Sequence, residues 1–383
     1  MNRQALRLVF AVLLLGGLIA CAPAPAAPPT PTSPPAATSA AVPTTVPPAA
    51  TSATVPTTAP PTATSAPAPT TAPTAAAKVK LNVAYSTLNP DPIAMWVAKD
   101  AGFFDKNGLD VTLVFVDGGT KTAQALIAKD VQFAATAPAG SVAAVSGGAD
   151  LVLVGGFVNV PNYDFLVQPS IKTAADLKGK KVAVSGLSGS SYTAARIALR
   201  EVLKLDPDKD VVFITIGTET EREAALVAKQ IDATVINPDL TVKAKKDGLV
   251  VLDSLWDTNI PYQHTGIAAS KAYVAANKDT TDKFFRSIVQ AIGYIKDPKN
   301  KEDVIKSIAK YLKIDDRDVL ESGYTRMGQK ILQCAPYATV EGMKTIIDEN
   351  KAAKEKGITP ESMVDNSFIK ALDESGFIKA NCK

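Results

Sequence analysis

An α/β protein of two lobes is what this sequence predicts, and three observations carry the prediction. From Leu81 to Val116 the chain reads as strand, polar loop, helix, glycine turn and second strand. That is a βαβ unit whose first loop opens at the carboxyl end of a strand, where open α/β sheets hold their ligands. A second unit of the same grammar runs from Lys181 to Ile216. Lys78 to Lys383 leaves 306 residues, too many for one small core and suited to two.

At the start of the chain, Arg3 and Arg7 precede the apolar run Leu8 to Leu15. A basic start and an apolar core too short to span a bilayer predict a secretory signal. Leu18-Ile19-Ala20-Cys21 resembles the lipobox of bacterial lipoproteins, which implies that residues 1–20 are removed and that Cys21 carries a lipid. Ala22 to Ala77 has no charged residue and holds 16 of the 27 prolines. Such a composition cannot bury enough apolar surface to offset its ordering entropy, so residues 21–77 read as an extended tether. With Arg3 and Arg7 set aside, 39 basic residues face 38 acidic ones, a net of +1. No basic run is interleaved with aromatics, and nucleic acid is not an expected partner.

In the first lobe, Leu81 to Ala84 is a strand and Ile93 to Ala101 a helix, with Asp91 as its N-cap and Pro92 at its first position. Val111 to Val116 is apolar enough for a buried strand. Thr120 to Lys129 is a helix, Val131 to Ala135 a strand, Ala139 to Ser146 a helix and Leu151 to Val154 a strand. Tyr163 to Val167 reads as the strand that leaves this lobe. In the second, strand Lys181 to Val184 meets the small-residue loop Ser185 to Ser191, and Tyr192 to Leu203 has apolar residues at helical spacing. Strand Val211 to Ile216, helix Thr218 to Lys229, strand Ala233 to Ile236, a helix begun at Asn237 and strand Leu249 to Leu252 follow. The chain returns through His264 to Ala269, giving lobe 1 as residues 78–165 plus 263–383 and lobe 2 as 166–262. From Lys271 onward the pattern is helical, including Val340 to Lys354, with no evident site.

Trp96-Val97-Ala98-Lys99-Asp100-Ala101-Gly102-Phe103-Phe104 with Asn107-Gly108-Leu109-Asp110-Val111 resembles the opening of the solute-binding proteins of the nitrate, sulfonate and thiamine-pyrimidine group. Gln124-Ala125-Leu126-Ile127, Val131-Gln132-Phe133-Ala134 and Asp176-Leu177-Lys178-Gly179-Lys180-Lys181-Val182-Ala183-Val184 recur in that family's order. The resemblance implies the type II periplasmic-binding-protein fold, two α/β lobes joined by two crossovers. It also implies a monomeric, lipid-anchored protein on the outer face of the cell membrane that hands a solute to an ABC permease and its ATPase.

Strand-end loops nominate the ligand contacts: Ser86, Asn89, Asp91 and Ala137 from the first lobe, and Ser185, Ser188, Ser190, Ser191 and Tyr192 from the second. Asn237 and Asp239 open a further helix expected to point the same way, and Tyr163 and Tyr262 sit by the crossovers, where a ring stacks on a heterocycle. Free amides at a helix start attract anions or carbonyl oxygens, and serine hydroxyls add adaptable donors; each serine alone is equally explained by loop and cap chemistry. The nominated loops lack a central Arg or Lys, which leans away from nitrate or sulfonate and towards a neutral heteroaromatic vitamin or precursor. Within the resemblance, riboflavin is the favoured ligand, with a thiamine pyrimidine precursor or a sulfonate- or nitrate-type anion as alternatives.

An enzyme reading exists because fungal thiamine-pyrimidine synthases share the fold the resemblance implies. Those proteins use a cysteine-rich iron segment and a reactive histidine, whereas this chain has cysteines only at Cys21, Cys334 and Cys382 and a single histidine, His264. No nucleophile, base and orienter assemble around His264 and no metal-ligand spacing is present, so neither catalysis nor a cofactor or metal is expected. In an exported chain Cys334 and Cys382 are expected to pair.

Overall fold

The computed structural model describes residues 77–187 and 189–382. The expected leader, the expected lipid site Cys21, nearly all of the expected tether, and Ser188 lie outside the described residues.

Alternation of apolar and polar residues, or unbroken apolar runs, sets the strands. The first sheet uses β1 (Val79–Tyr85), β2 (Leu109–Phe115), β3 (Phe133–Thr136) and β4 (Leu151–Val158). The second uses β5 (Asp164–Val167), β6 (Lys180–Val184), β7 (Val211–Thr215), β8 (Ala233–Ile236) and β9 (Val250–Ser254). The chain then returns as β10 (Thr265–Ser270) to the first. The orders are β2-β1-β3-β10-β4 and β7-β6-β8-β5-β9, one wiring used twice. In each sheet the first three strands are parallel and the strand delivered by a crossover, β10 or β5, is antiparallel to both neighbours. Central strands β3 and β8 are buried throughout, as two covered faces require, and so is β4 at one edge of the first sheet, while β2 at the other edge alternates.

One expectation is corrected here. Asp164 to Val167 does not close the first lobe; it is an interior strand of the second sheet, so the boundary at residue 165 moves back into the crossover before Asp164. A short apolar run states that it is buried but not which sheet it joins.

Helices cover both sheets. Between β1 and β4 lie α1 (Ile93–Asp100), α2 (Phe103–Lys106), α3 (Gly119–Ile127) and α4 (Pro138–Ser146). Gly102, at φ +74°, makes the turn from α1 into α2. The second lobe has α5 (Ser190–Ile197), α6 (Glu219–Val227) and α7 (Pro238–Lys246), and α5 runs on as a π-helical turn over Ala198–Val202. After β10 come α8 (Lys271–Ala276), α9 (Lys278–Lys296), α10 (Lys301–Leu312) and α11 (Arg317–Gly323), the last continuing as a π-helical stretch, Tyr324–Ile331. The expected single helix from Val340 to Lys354 divides into α12 (Val340–Asp348) and α13 (Lys351–Glu355), because the Asn350 side chain accepts from the Ala353 N–H and starts a new helix.

Trp96 and Phe133 belong to the first core. The Trp96 ring stacks on Tyr311 at 5.0 Å and Phe133 on Phe284 at 4.3 Å. The C-terminal segment closes against α9, where a Cβ on Gly293 would meet the Asn381 carbonyl at 1.8 Å. Cys334 and Cys382 are disulfide-bonded across 48 residues. A loop of that length stabilises the fold by about 4 kcal/mol through the unfolded chain. Reduction with dithiothreitol is therefore expected to lower the melting temperature of the folded protein, read by calorimetry; an unchanged melting temperature after complete reduction contradicts the clamp.

Candidate functional site

Because both sheets are wired alike, their strand-end loops face one another. Ser86, Thr87 and Leu88 follow β1; Phe115, Asp117, Gly118 and Gly119 end β2 and start α3; Ala137 precedes α4. From the second lobe come Ser185 after β6, Ser190 and Ser191 at the start of α5, and Gly217 to Thr220 with Arg222 between β7 and α6. With Tyr163 of the first crossover they enclose a cavity of about 50 Å³. The starts of α3 and α4 are pressed together, since a Cβ on Gly140 would lie 2.3 Å from the Gly119 carbonyl carbon. Only glycine fits there.

Gly118, Ala137 and Gly189 supply no side-chain cap to α3, α4 and α5, so no capping side chain stands between these three helix starts and the cavity. By contrast, α6 is closed by a capping box in which the Glu221 N–H donates to Thr218 Oγ1 and the Thr218 N–H to the Glu221 carboxylate. Ser86 is 3% exposed and its hydroxyl has no hydrogen-bond partner among the described residues, although it lines the cavity. A buried orphan hydroxyl calls for an explanation, and an arriving ligand supplies one. The Tyr163 hydroxyl and Ser190 Oγ share a hydrogen bond at 2.8 Å.

Charge enters from Asp117, Glu219 and Arg222. Burial pushes the Glu219 carboxyl above its ordinary value against the pull of Arg222, and Asp91 pushes it the same way. Its Oε2 accepts from the Asn237 N–H at 3.4 Å. Arg222, 2% exposed, spends its donors on the fold: Nε on Thr234 Oγ1 at 3.1 Å, Nη1 on the Gly217 carbonyl at 2.6 Å and Nη2 on the Val235 carbonyl at 3.3 Å. It offers a ligand field more than contact.

Beneath this cavity lies a second group of polar side chains. The Asp91 carboxylate, fully buried, accepts from His264 Nε2 at 2.9 Å, Asn162 Nδ2 at 2.8 Å, Thr265 Oγ1 at 3.2 Å and Asn237 Nδ2 at 3.4 Å. Arg326 donates through Nε to Asp239 Oδ1 at 3.0 Å, through Nη2 to Asn237 Oδ1 at 2.9 Å and to Asp239 Oδ2, and through Nη1 to Asn162 Oδ1. Tyr163 joins the two levels, its ring 4.5 Å from that of His264.

Comparison with known proteins decides the family. The family model described as NMT1/THI5 like matches residues 89–301. This chain belongs to the NMT1/THI5-like family. A Brucella abortus protein provisionally named as a binding protein is 30% identical over 260 residues, 64% of this chain and 76% of its own length. A Haemophilus influenzae protein provisionally named as a thiamine biosynthesis protein is 27% identical over 238 residues, 59% of this chain and 72% of that one. Among solved structures, a Bordetella bronchiseptica protein superposes with TM-score 0.66 at 21% identity, covering 78% of this chain and 98% of its own. The periplasmic aliphatic sulphonate binding protein of Escherichia coli gives 0.58 at 22% identity, covering 76% and 91%. The periplasmic nitrate-binding protein of Synechocystis gives 0.64 at 12%, covering 78% and 89%. The two-lobed type II periplasmic-binding-protein fold of this NMT1/THI5-like chain is thus shared with solved structures.

Of the residues nominated from sequence, Ser86, Ala137, Tyr163, Ser185, Ser190 and Ser191 come together at the cavity. Asn89, Asp91, Asn237 and Asp239 do not; each is fully buried, Asn89 accepting through Oδ1 from Thr87 Oγ1 and the Asp91 N–H, and the other three held by neighbouring side chains. Asp91 is not the cap of α1, which has no side-chain cap, because its oxygens are occupied by the crossover residues. Tyr192 packs its ring on Phe213 at 4.9 Å and under Arg196 at 5.4 Å, away from the cavity. Tyr262 is 1% exposed in the first lobe's core, its hydroxyl donating to the Ser190 carbonyl at 3.4 Å. Sequence reasoning missed Phe115, Asp117, Thr218, Glu219 and Arg222. Their signal was available: Asp117-Gly118-Gly119-Thr120 follows the second strand of its unit as Gly217-Thr218-Glu219-Thr220 follows the second strand of the other.

Burial pushes the Asp91 carboxyl up, but His264, Arg326 and Asn162 together outweigh it and hold the group below its ordinary 3.8. Ionised Asp91 therefore stabilises the fold at every pH above that ordinary value, and the contribution disappears as pH falls through the lower, folded pKa. Melting temperature is expected to drop steeply below about pH 4. Asp91→Asn is expected to cost about 3–5 kcal/mol near neutrality and to flatten the acid limb; a variant with the wild-type acid limb contradicts the role given to Asp91.

Proposed function

We propose that this protein is the extracytoplasmic solute-binding component of an ABC importer, a binding protein and not a catalyst. Its solute on this reading is a small heteroaromatic ring with both donors and acceptors. The observation that carries the reading is that both lobes bring donors and acceptors to one cavity. The Ser86 hydroxyl and the starts of α3 and α4 from the first lobe, with the start of α5 from the second, suit ring nitrogens or carbonyl oxygens. Asp117 of the first lobe and Glu219 of the second suit an amino group. Phe115 and Leu88, 37% and 41% exposed, supply an apolar rim for the ring face. The relatives named as binding proteins, and the one named for thiamine biosynthesis, agree with this reading. A Brachyspira hyodysenteriae relative provisionally named as an ABC transporter periplasmic binding protein is 28% identical over 197 residues.

Scale chooses among the vitamins. A cavity of about 50 Å³ holds roughly four waters, so a single ring needs a modest parting of the lobes while a three-ring flavin with its sugar chain needs the cleft rebuilt. A thiamine pyrimidine is accordingly favoured over riboflavin. The second reading, a sulfonate or nitrate anion, is favoured by the three uncapped helix starts and the field of Arg222, and opposed by the two carboxylates. Capture proceeds by closure, the solute selecting the arrangement in which both lobes touch it. A lipid on Cys21 and the proline-rich segment 21–77 would keep the protein near its permease, and the mass of the N-terminal peptide tests the lipid.

Titration calorimetry with a thiamine pyrimidine, riboflavin, nitrate and an alkanesulfonate separates the readings. The pyrimidine is expected to bind most tightly, and Glu219→Gln to cost about 1.5–3 kcal/mol, the worth of a charged hydrogen bond. Tyr192→Ala is expected to leave affinity unchanged. Tightest binding of an anion, strengthened by Glu219→Gln, selects the second reading, and tightest binding of riboflavin overturns the size argument.

A further inference from the structure

We propose that Arg326, a residue of the C-terminal helices that does not line the cavity, is the positioning residue that holds the two lobes in their solute-enclosing arrangement. The inference rests on the cleft being the solute site, but its test needs no solute. The stem of Arg326 belongs to the first lobe: Met327 is part of that core, and a Cβ on neighbouring Gly328 would touch Ile295 at 3.0 Å. Its guanidinium leaves that lobe. Each of its hydrogen bonds goes to Asn162 of the first crossover or to Asn237 and Asp239, where α7 of the second lobe begins. Ser322, one turn earlier, donates to the same Asp239 at 2.7 Å. Separating the lobes at this point leaves Asp239, whose side chain is fully buried, without its cation, and an uncompensated buried charge is strongly unfavourable.

Other ties between the C-terminal helices and the second lobe are weaker or placed elsewhere. Lys246 meets Asp318 at 3.0 Å with both side chains more than half exposed, a class of pair worth little. Arg196 meets Glu349 at 3.1 Å on α12's side of the molecule. Among the described residues, only the Arg326 tie reaches a residue of the cavity wall through one intermediary: Asn237, which it grips, donates its N–H to Glu219 at 3.4 Å and its side-chain amide to Asp91. The second lobe's contact loop and its fastening to the first lobe are therefore one connected set of bonds.

The test is the distance between lobes in the solute-free full chain. Nitroxides carried on ketone-bearing unnatural side chains at Ile127 and Val227, half-exposed ends of α3 and α6, leave the cysteines untouched. Pulsed electron–electron resonance is expected to show one short separation in the wild type and a second, longer one in Arg326→Met/Asp239→Asn, where both charges are removed together. Arg326→Lys, which keeps the charge but loses the fork, is expected to fall between them. A double variant with wild-type near-ultraviolet circular dichroism and the wild-type distance distribution overturns the proposal. Should the double variant not fold, an Arg326→Lys distribution indistinguishable from wild type overturns it equally.

Discussion

One buried carboxylate decides how the halves of this molecule meet. Asp91 sits in the loop between β1 and α1, the loop from which a type II sheet presents ligand contacts, yet its oxygens are consumed by His264, Asn162, Thr265 and Asn237. Those partners come from both crossovers, from the strand that returns to the first lobe and from the first residue before α7. A charge without water accepts this only because every lone pair finds a donor. The cost is that the crossover geometry is no longer free: chain entry, chain return and the start of α7 are fixed to one point. The cavity is built on that point, with Tyr163 as its floor.

The same wiring in both sheets then does the rest. Because each parallel trio of strands ends towards the middle, the first turns of α3, α4, α5 and α6 converge, and small residues are demanded where they converge. Gly119 and Gly140 touch backbone to backbone, Ser191 Oγ accepts from the Ser185 N–H at 2.8 Å, and Ser190 Oγ pairs with the Tyr163 hydroxyl. Small side chains keep the walls close, and the larger groups, Phe115, Tyr163 and Glu219, determine what shape and polarity remain between them.

Local pattern made the two βαβ units readable, since strand, polar loop and helix follow from spacing alone. Ser86, Ala137, Ser185, Ser190 and Ser191 follow from the same rule, because a loop after a parallel strand must open at one end of the sheet. What local pattern does not carry is pairing over distance. Asp91 looks like a helix cap in the six residues around it, and only His264, more than 170 positions away, shows otherwise. Asp164 to Val167 is equally apolar in either sheet. Arg326 resembles any surface arginine of an amphipathic helix until Asp239 and Asn237 are brought against it. Tyr192 was nominated for its place in a serine-rich loop, but the first turn of α5 points its ring back onto Phe213.

The central claim is that one solute touches both lobes at once. Hydrogen–deuterium exchange of the full chain, with and without a thiamine pyrimidine, tests it most directly, because the strand-end loops of the two lobes are separate peptides. The account predicts that protection appears together in the segments 86–119 and 185–222 and nowhere on the outer faces. Protection confined to one lobe, or appearing instead in the groove between Ile197, Pro261 and Thr345, contradicts it.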